Sequence, residues 1–280
     1  MNPENTKIVA DSAADMLSLS DVPFACAPLK IVTSQREYVD DATLDVAGMV
    51  EDLAAYRGRS STSCPNPENF LQAFGDAEYV FCITITGTLS GSYNAACLAK
   101  KQYEEMYPDR KVLVINSLST GPEMALIIYK LRELILADLD FDSVCLQIAE
   151  YSKKTGLLFV LESMQNLANN GRISFLTAKM AGIFGIRAIG TASERGDLEM
   201  LDKCRGEKKM LETLMLRLEE RGFRGGRIRI CHCLNEKNAI ALRELIVARF
   251  PNAPVEIDRC LALCSFYAER GGILVGFEKE

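Results

Sequence analysis

The sequence predicts an α/β protein of two domains, a mainly parallel sheet flanked by helices over residues 1–160 and an α+β domain over 161–280. Three observations carry this reading. The chain has 280 residues, above the usual single-domain size, so each half is long enough to bury its own core. Its first half alternates β-branched apolar runs with segments of helical spacing, the pattern of parallel strands covered on both faces by crossover helices. Past residue 160 the pattern changes to paired strands joined by polar turns, with helices interspersed.

In order along the chain, "TKIVADS" is a β-branched run ending in a polar turn, "FACAPLKIV" a second strand, and "ATLDVAGMVEDLAAY" a helix. A hydroxyl-rich stretch, "SSTSCPNPENF" (60–70), reads as an exposed loop feeding a short helix, because Pro65 and Pro67 exclude a core strand. Strand "YVFCITI", helix "GSYNAACLAKKQYEEMY", strand "KVLVINS" and helix "STGPEMALIIYKLRELILA" complete the first half. In the second, "SMQNLANNGRISFLTAKMAGIFG" reads as two helical pieces interrupted at Gly171, and "IRAIGTASERGDLEMLDKC" as two strands. Two amphipathic helices, "GEKKMLETLMLRLEERG" and "NEKNAIALRELIVARF", flank the strand "GRIRICHCL".

Composition narrows the function. Hydrophobic residues make up 48% and charged residues 25%, and a net charge of −6 argues against a nucleic-acid partner. The amino terminus lacks the basic and apolar regions of a signal peptide and no run approaches a membrane span, so a cytoplasmic location is expected. Ten cysteines lie mostly in apolar runs and read as reduced core thiols. A zinc site at Cys231, His232 and Cys233 is the weaker reading: the usual knuckle spacing is missing and the segment alternates like a half-buried strand, so no metal is expected.

Ligands of open parallel sheets bind beyond the carboxyl ends of the strands, where this chain places "ADSAAD", "TITGTLSGS" and "NSLSTGP". At "GTLSGSYNAA" (87–96) a helix starts near Ser92. Its free N–H groups, with the hydroxyls of Ser90 and Ser92, suit a carboxylate or phosphate, while a plain helix cap accounts equally well for either serine. The Gly-Lys-Ser/Thr ending of a phosphate-binding loop is absent, as is the hydrolase elbow, and a serine hydrolase built on Ser90 would have only His232 as base. Arg172, following Gly171, is placed either to fork an anion or as a solvated charge. "DKCRGEKK", with Arg205, reads first as a hairpin running into a helix with solvated lysines.

The blocks "KIVADSAAD", "STSCPNPENF", "ITITGTLSGSYNAA", "NSLSTGPEMAL", "LESMQNLANNGRIS" and "KCRGEKK" resemble, in order and spacing, those of the DegV family across nearly the whole chain. The resemblance implies two α/β-type domains with a long-chain fatty acid between them. It also implies a non-catalytic role as the fatty-acid-binding subunit of a bacterial fatty acid kinase. Such a subunit presents the carboxylate to a separate ATP-dependent kinase for conversion to acyl phosphate, with no cofactor of its own, and touches a membrane surface transiently for ligand exchange. The alternatives are a carrier or regulator for another amphipathic carboxylic acid, without kinase transfer, and the hydrolase on Ser90.

Carried over by position, Thr62, Ser63, Ser90, Gly91 and Tyr267 would hold the carboxylate, with Asp11, Ser12 and Ser92 supporting them and Arg172 and Arg205 near the mouth or facing the partner. The chain departs from the family where Cys64 stands for glutamine, Asn66 for serine, and Ile85-Thr86-Gly87 for I-S-S. Many members carry histidine near the carboxyl terminus where, counting back from Gly276 and Phe277, this chain has Tyr267, a phenol that donates a hydrogen bond but does not readily carry positive charge. For the tail, the apolar faces of "AKMAGIFGI", with Met180 and Phe184, and of the strands ending at Ile83 and Ile115 are the candidates.

Overall fold

The structure, a computed structural model, describes residues 1–174 and 185–280. The first part supplies strands β1 (Thr6–Asp11), β2 (Phe24–Ala27), β3 (Lys30–Val32), β4 (Glu37–Val39), β5 (Ser61–Ser63), β6 (Tyr79–Thr84) and β7 (Lys111–Asn116). Its helices are α1 (Val46–Ala55), α2 (Pro67–Phe74), α3 (Ser92–Met106), α4 (Pro122–Leu136) and α5 (Phe141–Ser152). The rest supplies β8 (Thr155–Leu161), β9 (Ile186–Ala192), β10 (Leu198–Arg205), β11 (Ile228–His232), β12 (Val255–Arg259) and β13 (Ile273–Glu278). Its described helices are α6 (Gln165–Asn169), α7 (Glu207–Glu220), α8 (Glu236–Arg249) and α9 (Ala262–Ala268).

Strands β2-β1-β6-β7 form one wholly parallel sheet. One face buries Phe70, Phe74 and Tyr103 of α2 and α3, and the other packs on α4 and α5. The second sheet, β10-β9-β8-β13-β11-β12, is mixed, with β11 and β12 parallel and the other pairs antiparallel. Helices α7 and α8 cover its outer face over Met210, Leu214 and Leu242. Between the two sheets lies α4, which touches β1 and β6 on one side and β8, β11 and β13 on the other. The run "EMALIIYKL" is apolar on nearly every side, as a helix enclosed by two sheets must be, and Met124 through Ile128 are fully buried.

The α/β architecture agrees with the sequence, with four differences. β8 is hydrogen-bonded to β9 and β13, so a division at residue 160 would cut through a strand that belongs to the second sheet. The segment 24–32 is two strands in two different sheets, because Pro28 has no N–H to continue a ladder. The hydroxyl-rich stretch is not entirely loop: β5 joins β3 and β4 in a small antiparallel sheet. The second helical piece expected after Gly171, with Met180 and Phe184, lies outside the described residues, as does the tunnel wall assigned to it.

No helix among the described residues is long and apolar enough to cross a membrane. All ten cysteines are free, and among the described residues no group of three His, Cys, Asp or Glu is placed to hold a metal ion.

The start of α4 packs tightly on the second sheet at Gly276, where a Cβ would sit 2.5 Å from the backbone of Pro122 and Glu123. Backbone cannot swing aside as a side chain can, so Gly276→Ala is expected to cost about 3 kcal/mol, the upper part of the usual overpacking range, in urea unfolding.

Candidate functional site

The site forms where two sheet-end turns touch. β5 pairs with β3 so that Thr62 lies opposite the buried Ile31, and the strand period of two turns Thr62 inward while Ser63 is exposed. The chain then passes through Cys64 into α2. Here Asn66 Oδ1 accepts the Asn69 N–H at 2.9 Å and Asn69 Oδ1 accepts the Asn66 N–H at 3.0 Å, a reciprocal cap with Pro67 in the first turn. The prolines and asparagines of 65–69 are therefore a helix-start device that aims the preceding hydroxyls.

The second turn, 85–91, joins β6 to α3. Thr86 N–H reaches Ser119 O at 2.9 Å, Gly87 N–H reaches Asn116 Oδ1 at 3.1 Å, and Thr88 Oγ1 donates to Gly196 O at 2.7 Å, so β7 and the β9–β10 hairpin both brace it. Gly91 precedes α3, and a Cβ there would lie 3.1 Å from Cys64 Sγ, a measure of how closely the two turns meet. Ser90 Oγ accepts the Ser92 N–H at 3.2 Å, which leaves its own proton to donate.

Beneath the turns is a hollow with about 880 Å³ of unfilled space, the open solvent at its mouth included. Its polar lining comes from Thr62, Cys64, Ser90, Arg172 and Tyr267, with Thr120 further along. Its apolar wall is Leu157, Phe159 and Leu161 of β8, with Leu274 of β13 and Leu167 of α6. Among the described lining residues Arg172 is the only charged one. Its Nε donates to Leu89 O at 3.2 Å and its Nη1 to Asn170 O, so it bridges to the 85–91 turn instead of standing free in solvent.

Tyr267, on the last turn of α9, lies with its hydroxyl 2.7 Å from Thr62 Oγ1. Burial pushes its phenol pKa up, against the Thr62 hydrogen bond and the Arg172 charge, which keeps the phenol protonated as a donor. The start of α9 is held from the other half of the chain. Asp15 Oδ1 accepts the Leu261 N–H at 2.8 Å, and the Asp40 carboxylate accepts the Ala262 and Leu263 N–H groups at 2.8 and 3.0 Å.

Of the residues singled out in the sequence, Thr62, Ser90, Gly91, Arg172 and Tyr267 come together at the hollow. Asp11, Ser12 and Ser92 stand behind them. Asp11 Oδ2 accepts the Ile85 N–H at 3.0 Å and the Ser92 hydroxyl at 2.5 Å, and Ser12 Oγ accepts the Leu29 N–H at 3.0 Å. Ser92 thus braces the turn instead of capping α3. Ser63 faces solvent and Arg205 is exposed at the end of β10, and neither lines the hollow. Ile83 is buried core and Ile115 packs against the same core, and neither lines the hollow; Ile85, just past β6, does, together with the β8 residues. His232 lies on β11, accepts the Asn235 N–H at Nδ1 (3.2 Å), and is not among the lining residues, so Ser90 has no histidine base there. Sequence reasoning missed Asp40 and the β8 wall; an acidic pair after a three-residue strand and an apolar run carry no signal of either role.

Burial pushes the carboxyls of Asp11 and Asp15 up to about 7 and that of Asp40 up to about 6, although each accepts N–H bonds that favour the charged form. All three ionise at about 3.8 when unperturbed, so the folded state holds more protons than the unfolded one between that value and about 7. Their stabilising contribution is full below pH ~3.8 and is lost as pH rises through the folded values. Thermal unfolding is expected to show a higher Tm at pH 5 than at pH 8.

A family model described as an uncharacterised protein of the DegV family matches residues 5–280. A DegV domain-containing protein of Streptococcus pneumoniae strain R6 is 45% identical over 276 residues, covering 97% of this chain and 98% of that one. Among solved structures, a DegV family protein from Eubacterium eligens loaded with heptadecanoic acid is 42% identical with TM-score 0.96, covering 98% of this chain and all of that one. The Streptococcus pneumoniae Fatty Acid Kinase B3 protein loaded with linoleic acid is 44% identical with TM-score 0.96, covering 98% and 99%. With the family match spanning nearly its whole length, the chain belongs to the DegV family.

Proposed function

We propose that the protein holds a long-chain fatty acid in the hollow and presents its carboxylate to a separate ATP-dependent fatty acid kinase subunit, which converts it to an acyl phosphate. The observation that carries this reading is the division of the lining: hydroxyls of Thr62, Ser90 and Tyr267 and one guanidinium gather at the touching turns, and a leucine and phenylalanine wall extends beyond. A carboxylate with a hydrocarbon tail matches both parts. The heptadecanoic and linoleic acids carried by the two relatives above 40% identity support the ligand class, and the relative's role in a fatty acid kinase supports the partner. In this reading exposed Arg205 faces the kinase, the protein acts in the cytoplasm, and it meets a membrane surface only transiently to exchange ligand.

About 14 buried methylenes at ~0.8 kcal/mol each supply roughly 11 kcal/mol of gross driving force before association costs. Each neutral hydroxyl contact adds only ~0.5–1.5 kcal/mol net, because it replaces a hydrogen bond to water. The tail therefore determines retention and the hydroxyls determine which end faces the partner.

Lipid extracted from the purified protein is expected to contain a long-chain fatty acid by mass spectrometry. The absence of any acyl species, together with no uptake of added fatty acid, would refute the proposal. With a cognate kinase and ATP, the double variant Thr62→Val, Ser90→Ala is expected to keep its ligand within about tenfold in affinity and to lose acyl phosphate formation by more than that.

A further inference from the structure

Across the inner face of the second sheet, one row of residues runs Leu274 on β13, Phe159 on β8, Gly190 on β9 and Met200 on β10, each paired in register with the next. The inner-face positions of β9 are Ala188, Gly190 and Ala192, all small, whereas those of β8 are Leu157, Phe159 and Leu161. At Gly190 the lack of a side chain has a specific occupant: a Cβ there would fall 2.3 Å from Phe159 Cζ and 2.5 Å from its Cε2. The Phe159 ring lies across the bare backbone of Gly190 and is at the same time part of the lining of the hollow.

We propose that the Phe159–Gly190 pair sets the bore of the hollow and thereby which hydrocarbon chains the protein accepts. This inference rests on the fatty-acid reading above. Because the ring has a berth over Gly190, the space beyond it is open to a chain with a bend. With no berth, the ring would have to rise from the sheet between Leu157 and Leu161, and only a straight chain would pass. A packed apolar wall responds to changes of this size, since one methylene of misfit in such a pocket is worth about 10- to 200-fold in discrimination. Phe159 is thus a specificity-determining residue and Gly190 a positioning residue that acts through it.

The test offers delipidated protein an equimolar mixture of octadecanoic and cis-9-octadecenoic acid, equal in length and differing in the bend, and reads the bound ratio by chromatography and mass spectrometry of the extract. Gly190→Ala is expected to shift the ratio about tenfold or more toward the straight acid. Phe159→Leu is expected to shift it at least about fivefold toward the bent acid, and in the Gly190→Ala background to undo the first shift. A Cβ at 190 also meets Glu199 O at 2.5 Å, so Gly190→Ala is at risk of misfolding; Phe159→Leu keeps the backbone intact and suffices alone. A ratio unchanged within about twofold in Phe159→Leu, with both acids still bound, overturns the inference while leaving the carrier reading in place. Failure of the unaltered protein to take up either acid overturns both.

Discussion

Two buried carboxylates hold the site together. Asp15, just after β1, and Asp40, just after β4, accept the first three N–H groups at the start of α9, and α9 is what carries Tyr267 to Thr62. A helix of seven residues has little stability of its own, and its unpaired N–H groups would be costly to bury without acceptors. Asp40 directly follows β4 and Thr62 lies on β5, two strands of the same three-stranded sheet, since β3 pairs with both. That small sheet therefore both clamps the helix and presents the hydroxyl its tyrosine meets. Burial away from water is what raises the carboxyl pKa values of both.

The remainder of the hollow follows from β8. As a central strand between β9 and β13 it is apolar on both faces, with Leu158 and Val160 under α7 and α8 and Leu157, Phe159 and Leu161 turned inward. One strand thus anchors the second sheet's outer core and lines the site. In the proposed function the ligand chemistry is split along the same axis: area-driven affinity at the β8 wall, orientation at the turns where a few donors are fixed by backbone contacts. Among the described lining residues Arg172 supplies the one cation, and its bonds to Leu89 O and Asn170 O limit how far it can swing.

Much of this was legible in the residues. The parallel strands announced themselves through β-branched runs, and residues of the serine-rich turns at their ends, Ser90 and Thr120, line the hollow. Thr62 and Ser63 were indistinguishable as neighbours in a loop; only the knowledge that 61–63 is a strand, with a period of two, separates the inward hydroxyl from the outward one. Strands of three residues are too short to display that period, so β4 and β5 left no trace and β3 reads as a continuation of β2. The apolar run "TGLLFVL" shows a buried strand but not which sheet receives it, because both neighbours come later in the chain. Asp40 owes its role to partners more than 220 residues away, a separation no local pattern records.

The central claim is that the touching turns hold the carboxyl end and the β8 wall the hydrocarbon end. A crystal structure of the protein loaded with a fatty acid brominated at its terminal carbon tests it in one step. The account predicts an anomalous bromine peak in the apolar interior, with the carboxylate within hydrogen-bond distance of Thr62, Ser90 and Tyr267. A bromine peak beside those hydroxyls, or no ligand density between the sheets, would contradict it.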